Sequence, residues 1–291
     1  MKNIILPTDF SENAYNAIDY AVQLFKDEPC TFYLLNTYTP VLYDSEYMYY
    51  TPTMTLDDIY KTNSKKGLDR LEKRLKKEFN NPNHRFEKVS AFSFLPDEIN
   101  EMAKEKDIDL VVMGTQGATG AKEVLFGTQT VHTIKKATCP VLAIPSEYEF
   151  QPIENILLPT DLCIGFRENQ LQVLRTLATS TKATLHILHV LQEERLNKDQ
   201  EEGKKELAKY FKDVNHDFHI VKANDVKETI LKFPKENPVE LVAMINNKHS
   251  FFENLFFTPV VHSVGFHIKV PFLVIPSGKY TVRSMPVNIM R

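Results

Sequence analysis

The chain has 291 residues, a length that predicts about two domains. Hydrophobic residues make up 43% and charged residues 25%, a balance typical of a globular protein and not of a disordered one. The formal net charge is −3 and the pI is near 6.3, whereas nucleic-acid binding usually requires a strongly basic face. We therefore expect no nucleic-acid partner.

The cysteines and the N-terminus favour a reducing compartment. Cys30, Cys139 and Cys163 form no pair with metal-ligand spacing, and three are too few for a disulfide framework. The first apolar run, residues 4–6, is far shorter than the 7–15 or so apolar residues of a secretion signal. No stretch approaches the roughly 20 apolar residues of a membrane helix. We expect a cytoplasmic protein without membrane contact.

The sequence repeats itself. NIILPTD at 3–9 and NILLPTD at 155–161 differ at one position, and CPVLAIPS at 139–146 matches VPFLVIPS at 270–277. Because further matches follow in the same order between these anchors, the chain is predicted to contain a duplicated domain.

The boundary between the copies falls in the polar stretch 147–152. The predicted domains are therefore 1–147 and 153–277. The tail at 278–291 is polar, and we expect it either to be disordered or to clasp a neighbour.

In chain order, the first half alternates apolar runs with amphipathic helices. The predicted strands are 4–7, 31–37, 86–92, 109–114 and 140–144. The predicted helices are Asn13–Phe25 with Ser11 as N-cap, a long helix marked by Leu68, Leu71, Leu75 and Phe79, a helix opened by Pro96, and one over 124–136. This alternation predicts an α/β fold with a parallel sheet covered by helices on both faces.

One length difference separates the copies. The second is about 20 residues shorter between its second and third strands, where the first carries five tyrosines between Tyr38 and Tyr50. The extra segment is either a packed excursion over hydrophobic surface or a lid over a ligand or partner site.

Glycines cluster after the fourth strand. The protein has nine, and Gly114, Gly117, Gly120 and Gly127 fall within fourteen residues, between a strand and a helix. Backbone N–H groups at such glycines can approach phosphate oxygens, and the helix start favours an anion. A P-loop is excluded because no Gly-Lys-Ser/Thr follows, and a dinucleotide fingerprint would follow the first strand. A tight turn without a ligand fits the same spacing.

Gly114-x2-Gly117-x9-Gly127-Thr128 resembles the ATP-binding signature of the universal stress protein family. NIILPTDFSENA resembles the family's first strand and turn, and CPVLAIPS its last strand, so the likeness covers essentially the whole chain as a tandem pair. The resemblance implies two five-stranded parallel-sheet domains of strand order 3-2-1-4-5 with helices on both faces, an adenine-nucleotide alpha-hydrolase-like fold. It also implies a nucleotide between the first and fourth strands.

The resemblance further assigns roles by position. It implies that Asp9, beside Pro7 and Thr8, contacts adenine or ribose, and that the backbone of Thr37 meets the adenine edge. It implies that Met113 and Gly114 form the floor of the pocket and that Gly117 lines the phosphate path. The residues that it implies around the phosphates are Gly127, Thr128, Gln129 and Thr130. The expected ligand is ATP, or ADP or AMP, with Mg²⁺ held mainly by phosphates and water because no carboxylate cluster is present. Without the resemblance, a turn or helix-capping role is the favoured interpretation of Asp9.

The second copy lacks this loop. Ile245 stands in place of the strand-end glycine, Lys248 or its neighbour in place of the second, and Phe257 or Thr258 in place of the third. Asp161 persists, but a single carboxylate makes no site. We expect nucleotide in the first half only.

Two other groups in the second half carry weaker signals. The phenylalanines form either core or a contact surface; they are Phe251, Phe252, Phe256 and Phe257. The histidines lack the spacing of a tetrahedral metal site, so no metal is expected; they are His186, His189, His216 and His219.

These features predict a nucleotide-binding stress or regulatory protein and not an enzyme, because no general base stands out beside the γ-phosphate position. A slow ATPase or nucleotidyl-transferring enzyme of the same fold and a ligand-free scaffold are the alternatives. The resemblance also implies an intramolecular pseudo-dimer that pairs strand 140–144 with strand 272–275, and it leaves homodimerisation open.

Overall fold

The computed structural model describes residues 1–39, 56–115, 127–163, 168–246 and 269–276. The strands are β1 (Lys2–Pro7), β2 (Cys30–Tyr38), β3 (His84–Phe92), β4 (Leu110–Gly114), β5 (Val141–Ile144), β6 (Asn155–Pro159), β7 (Thr184–Leu191), β8 (His216–Lys222), β9 (Leu241–Asn246) and β10 (Phe272–Pro276). The helices are α1 (Glu12–Leu24), α2 (Leu56–Glu78), α3 (Leu95–Glu105), α4 (Thr128–Lys136), α5 (Glu168–Thr181), α6 (Lys198–Tyr210) and α7 (Val226–Glu236).

The described strands form one sheet in the order β3-β2-β1-β4-β5-β10-β9-β6-β7-β8. Within each half the strands are parallel and follow the order 3-2-1-4-5, which confirms the predicted fold class. The half-sheets join where β5 pairs antiparallel with β10, with Leu142 opposite Leu273. Because the halves therefore run in opposite directions, the carboxyl ends of their strands lie at opposite edges of the sheet.

Alternate strand residues supply two separate apolar layers. Ile4 and Leu6 of β1 belong to the layer under α1, α2, α5 and α6, whereas Ile5 belongs to the layer under α3, α4 and α7. All three side chains are fully buried, and each such burial stabilises the fold by about 1.5–3 kcal/mol. Both layers contain residues of both halves, so the halves share their cores.

Two helix starts follow the predicted signals, whereas α4 begins at Thr128, after its cap Gly127, and not at 124. Ser11 caps α1 by accepting a hydrogen bond from the Ala14 N–H at 3.2 Å, and a proline stands in the first turn of α3. None of the described helices is long and apolar enough to cross a bilayer.

The segment between the halves is anchored to α1. Tyr20 packs against Tyr148 and Phe150, with ring centroids 6.1 and 5.3 Å away. The Asn16 side chain donates to the carbonyls of Tyr148 at 3.2 Å and Pro145 at 3.4 Å. The predicted polar boundary is thus also an aromatic contact that holds the connection to the first half.

Several predicted features lie outside the described residues. They are the tyrosine-rich segment from residue 40 onward, the glycine loop with Gly117 and Gly120, the second-half loop positions 248 and 257–258, the phenylalanine group at 251–257 and the tail at 278–291. The connection from β2 to β3 runs over 39–83 and that from β7 to β8 over 192–215, so the length difference falls where the sequence predicts it.

Each half has a glycine inside a helix at the point where the loop after its first strand packs closely against that helix. A Cβ at Gly203, in the middle of α6, would overlap the backbone carbonyl of Leu162. A Cβ at Gly67 in α2 would overlap the ring of Phe10, which is 41% exposed. Glycine is needed at 203 because a backbone carbonyl cannot move aside, whereas an exposed ring can.

We predict that Gly203→Ala lowers the free energy of unfolding by about 1–3 kcal/mol through overpacking. Alanine in an unobstructed helix interior would instead raise it by up to about 1 kcal/mol. The matched substitution Gly67→Ala is expected to cost less because the Phe10 side chain can rotate away. Urea unfolding followed by circular dichroism measures both; a Gly203→Ala protein at least as stable as the parent would contradict the close contact.

Candidate functional site

The turn after β1 is built by its own side chains. The Phe10 N–H donates to Thr8 Oγ1 at 3.0 Å, while the Ser11 N–H and hydroxyl both donate to Asp9 Oδ1, at 3.0 and 2.6 Å. Phe10 has a φ of 66°, in the left-handed region that few residues other than glycine adopt. One oxygen of Asp9 therefore fixes the turn that precedes α1. This is the turn or capping role that the sequence suggests for Asp9 without the resemblance.

Asn36 braces this turn from β2. Its side-chain amide donates to the Thr8 carbonyl at 2.7 Å, and the Thr8 N–H donates to the Leu35 carbonyl at 2.8 Å. The ladder between β1 and β2 ends at Pro7, opposite Leu35. Because backbone groups alternate sides along a strand, the N–H and C=O of Thr37 face the space beyond the end of β1. The backbone contact to a ligand that is expected of Thr37 would be made on this side.

The start of α4 is tied to the end of β4. The Gly127 N–H donates to the Thr115 carbonyl at 2.5 Å, and the Thr130 hydroxyl donates to the Gly114 carbonyl at 2.9 Å. Thr130 is 2% exposed and its hydroxyl is already engaged by the Gly114 carbonyl, so its side chain is not offered to a phosphate. Thr128 and Gln129 are exposed at the open end of the helix.

The N-terminus of α4 differs electrostatically from those of the other capped helices. Side chains cap α1, α6 and α7, and each of these helices has an acidic residue in its first turn. In α4 the cap is Gly127, no side chain of the described residues caps the helix, and the first turn has no acidic residue. The positive end of the helix dipole is therefore not compensated by a side chain of the helix itself.

The sheet brings these pieces together. Ile5 of β1 lies opposite Val111 of β4, so Pro7 is level with Met113 and the two strands end side by side. Ten of the eleven predicted site residues thus belong to the carboxyl ends of β1, β2 and β4 or to the start of α4; Gly117 lies outside the described residues. A groove of about 710 Å³ opens beside Asp9 and Thr37.

Sequence reasoning did not single out two residues at this edge. Asn36 was passed over because it continues an apolar run, although a buried asparagine needs a hydrogen-bond partner. Thr115 follows the strand-end glycine; it is 4% exposed, and among the described residues its hydroxyl has no hydrogen-bond partner.

The second half repeats the turn but not the strand end. The Leu162 N–H donates to Thr160 Oγ1 and the Cys163 N–H to Asp161 Oδ1, both at 3.0 Å, as in the first half. His189 takes the place of Asn36, with its Nδ1 2.9 Å from the Thr160 carbonyl. However, β9 continues through Ile245, where β4 ends at a glycine.

The histidines of the second half do not converge on one point. His186 Nδ1 lies 3.1 Å from His219 Nε2, and His186 Nε2 lies 3.1 Å from Asn155 Oδ1. His189 contacts Thr160 instead. Within the described ranges, no group of three or more histidine, cysteine or acidic side chains is arranged to hold a metal ion.

Burial lowers the pKa of His186 below its ordinary value of 6.5, and the neighbouring His219 lowers it further. Asp217 and Glu240 act in the opposite direction with less effect. The folded protein therefore favours the neutral ring, whereas the unfolded chain takes up a proton near pH 6.5.

Comparison with known proteins finds sequence relatives of both halves of the chain. The profile of the universal stress protein family matches residues 1–145 and 152–276. A universal stress protein of Methanocaldococcus jannaschii is 30% identical over 148 residues, covering 49% of this chain and 81% of that protein. The Bacillus subtilis universal stress protein YxiE is 28% identical over 144 residues, covering 48% of this chain and 97% of that protein.

The fold of the whole tandem chain also has a solved counterpart. A universal stress protein from Archaeoglobus fulgidus matches it with a TM-score of 0.64 at 17% identity, covering 95% of this chain and 97% of the other. At this identity the likeness concerns the fold.

We predict that the His186–His219 pair makes the fold less stable as pH falls below about 6.5, because protonation is easier in the unfolded chain than in the folded one. In His186→Gln, whose amide can still bond Asn155, the loss of stability between about pH 7 and pH 5 should be smaller. Urea midpoints measured across this range test it, with His132→Gln as the control. Equal pH slopes in the parent and in His186→Gln would contradict the assignment.

Proposed function

Because the chain belongs to the universal stress protein family, we propose that it is a regulatory protein of the stress response that binds ATP in its N-terminal half alone. The domain at 1–147 carries the nucleotide, and the domain at 153–277 has lost the phosphate loop. We further propose that the two halves act as an intramolecular pseudo-dimer, which the antiparallel β5–β10 pairing supports.

The observation that carries this proposal is the uncapped N-terminus of α4 at the switch in strand order. In a doubly wound sheet, ligands bind at the carboxyl ends of strands where the order reverses, which in the first half lies between β1 and β4. The free N–H groups and the dipole of α4 favour an anion there. Polyphosphate is the anion that fits a helix start next to a glycine-rich segment.

The backbone at Gly127 supports the same conclusion. Its φ of −58° and ψ of 152° are accessible to any residue, so its conformation does not require glycine. Glycine is also a weaker cap than serine, asparagine or aspartate. What glycine offers here is the absence of a Cβ, which lets phosphate oxygens approach the helix start closely.

The other end of the nucleotide would meet polar groups of the first two strands. The Thr37 backbone faces the space beyond β1, and Asp9 stands beside it with a carboxylate suited to ribose hydroxyls. Lys66 and Arg70 of α2 also line the groove, where they balance the carboxylates of Asp9 and Asp69. ADP and AMP would use the same base and ribose contacts with fewer phosphate contacts.

A divalent cation, Mg²⁺, would accompany the triphosphate. Asp9 is the single carboxylate among the proposed ligand residues, and one of its oxygens already accepts two hydrogen bonds from Ser11. Phosphate oxygens and water would therefore supply most of the metal ligands. Because these hydrogen bonds already engage that oxygen, Asp9 is a poor general base. We therefore propose that ATP regulates the protein by being bound and not by being hydrolysed.

We predict that saturating ATP with Mg²⁺ raises the stability of the chain by about 2–4 kcal/mol, since it binds the folded state only. Gly127→Val should abolish this gain because its side chain blocks phosphate approach. Gly127→Ala should reduce the gain by less. Thermal unfolding with and without ATP measures both effects.

The matched pair Asp9→Ala and Asp161→Ala tests which half binds. ATP-dependent stabilisation should fall in the first variant and stay at the parent level in the second. Full stabilisation in Gly127→Val, or its loss in Asp161→Ala alone, would contradict the proposal.

A further inference from the structure

The contact between the two halves leaves a small apolar cavity. It measures about 60 Å³ and lies between α5, the residue that follows α1, and strands of both halves. The apolar residues that line it are Phe25, Leu110, Leu142, Val173, Leu177 and Leu273. Small-molecule sites are typically about 300–1,000 Å³, so this cavity suits a protein side chain and not a whole ligand molecule.

The duplicated sequence gives this cavity a counterpart across the β5–β10 pairing. The matching segments 31–37 and 184–190 contain the strands that follow α1 and α5. Counting back from these segments makes Val173 of α5 the equivalent of Tyr20 of α1. The cavity beside Val173 therefore corresponds to the place that Tyr20 occupies.

An acidic residue marks both places. Asp109 lines the cavity, and its equivalent in the second half is Glu240, since each precedes the fourth strand of its half. Burial raises the pKa of Tyr20, and the nearby Tyr148 and Glu240 raise it further. Tyr20 thus lies near Glu240, just as Val173 and Asp109 lie around one cavity.

On the first-half side this place is filled. Tyr20 is 1% exposed, whereas Val173 is only partly buried. The chain that follows β5 covers Tyr20 with the rings of Tyr148 and Phe150, whose centroids lie 6.1 and 5.3 Å away. The segment after the last strand of the first half thus closes the space beside the first helix of that half.

The second half has a similar segment in its sequence. β10 ends at Pro276, and the tail at 278–291 follows it. Tyr280 and Val282 of this tail have the same two-residue spacing as the two rings after β5, one position later. The tail therefore offers two apolar side chains where the first half uses two.

The asparagine that holds the segment in the first half is also repeated. Asn16 of α1 donates to the carbonyls of Tyr148 at 3.2 Å and Pro145 at 3.4 Å. An asparagine stands at the equivalent position of α5, residue 169, and Pro276 is the equivalent of Pro145. The residue types that hold the chain after β5 are thus present for the chain after β10.

The tail is long enough to reach the cavity. Leu273 lines the cavity and belongs to β10, three residues before Pro276. Tyr280 comes four residues after Pro276, and an extended chain of that length spans up to about 14 Å. The tail has basic side chains and no acidic one, so it brings no side chain that Asp109 would repel.

From this equivalence we propose that the C-terminal tail folds back across the contact between the halves and inserts Tyr280 and Val282 into the cavity beside Val173. The docking surface belongs to the described residues, and the tail itself lies outside them. Each half would then close its side of the contact with the segment that follows its own last strand. The tail would be a strap that contacts both halves, independent of nucleotide.

Trypsin cleavage of the full chain tests this, because Lys279 and Arg283 lie within the tail. Val173→Tyr gives the cavity the side chain of its counterpart and should displace the tail. Thr179→Tyr adds the same side chain at an exposed position of α5 and is the matched control. We expect Val173→Tyr to release the tail about tenfold or more faster than the parent and the control, since cleavage requires an undocked tail.

Changes within the tail keep the test valid if Val173→Tyr does not fold. Tyr280→Ala leaves every described residue intact and should also release the tail about tenfold or more faster than the parent. The chain has no tryptophan, so Tyr280→Trp places a single fluorophore in the tail. Its emission should lie at shorter wavelength than that of the double variant Tyr280→Trp with Val173→Tyr.

Either of two results would overturn the proposal. The first is a rate of tail release in Tyr280→Ala equal to that of the parent. The second is a parent chain that light scattering shows to be a dimer and a Tyr280→Ala chain that is a monomer, because the tail would then occupy the cavity of a second copy.

Discussion

The proposed ligand site depends on backbone groups that are not paired with a neighbouring strand. Beyond the end of β1, the N–H and C=O groups of Thr37 in β2 face the space past Pro7, whereas Thr8 and Thr115 still donate to the neighbouring strands, at Leu35 and Ile144. In the first half the Thr130 hydroxyl holds the start of α4 against the β4 carbonyl, so that the uncapped helix end lies at the same edge. The nucleotide assignment depends on that placement, because the dipole and free N–H groups act only at close range.

The two halves share the turn after the first strand but differ at the end of the fourth strand. Each keeps the turn in which the threonine and aspartate after the first strand accept N–H groups two residues on, and each keeps a left-handed residue within it. This turn is therefore part of the fold and does not by itself indicate a nucleotide. What differs is the end of the fourth strand, a glycine in one half and an isoleucine in the other. Since β5 and β10 pair antiparallel, the two strand-end edges lie on opposite sides of the sheet, and a change at one does not obstruct the other sterically.

Much of the fold could be predicted from the sequence because its signals are local or repeated. The duplicated NIILPTD and NILLPTD segments fix two equivalent first strands, and the Ser11 cap marks α1 to within a residue. The strand order could not be obtained from these patterns alone and came from resemblance, since register depends on contacts far apart in sequence. The same holds for the pairing of β5 with β10.

The site was only partly accessible to sequence reasoning. Glycines that follow a strand are a signal visible in the sequence. Asn36 and its counterpart His189 are single polar residues in apolar runs, and their role in bracing the turn can be recognised only when the fold places the turn beside them. Gly67 and Gly203 did carry a signal, a glycine inside an otherwise strong helical pattern, which indicates close backbone approach. Lysine-rich runs surround both glycines, and because such charge patterns are typical of solvated helix faces, they obscure that signal.

A crystal structure of the full chain grown with ATP and Mg²⁺ tests the central claim most directly. The expected result is one triphosphate per chain, with phosphate oxygens within hydrogen-bond distance of the backbone N–H groups of Thr128 and Gln129. A triphosphate seated in the second half beside Asp161, or an α4 start covered by neighbouring side chains with no nucleotide bound, would contradict it.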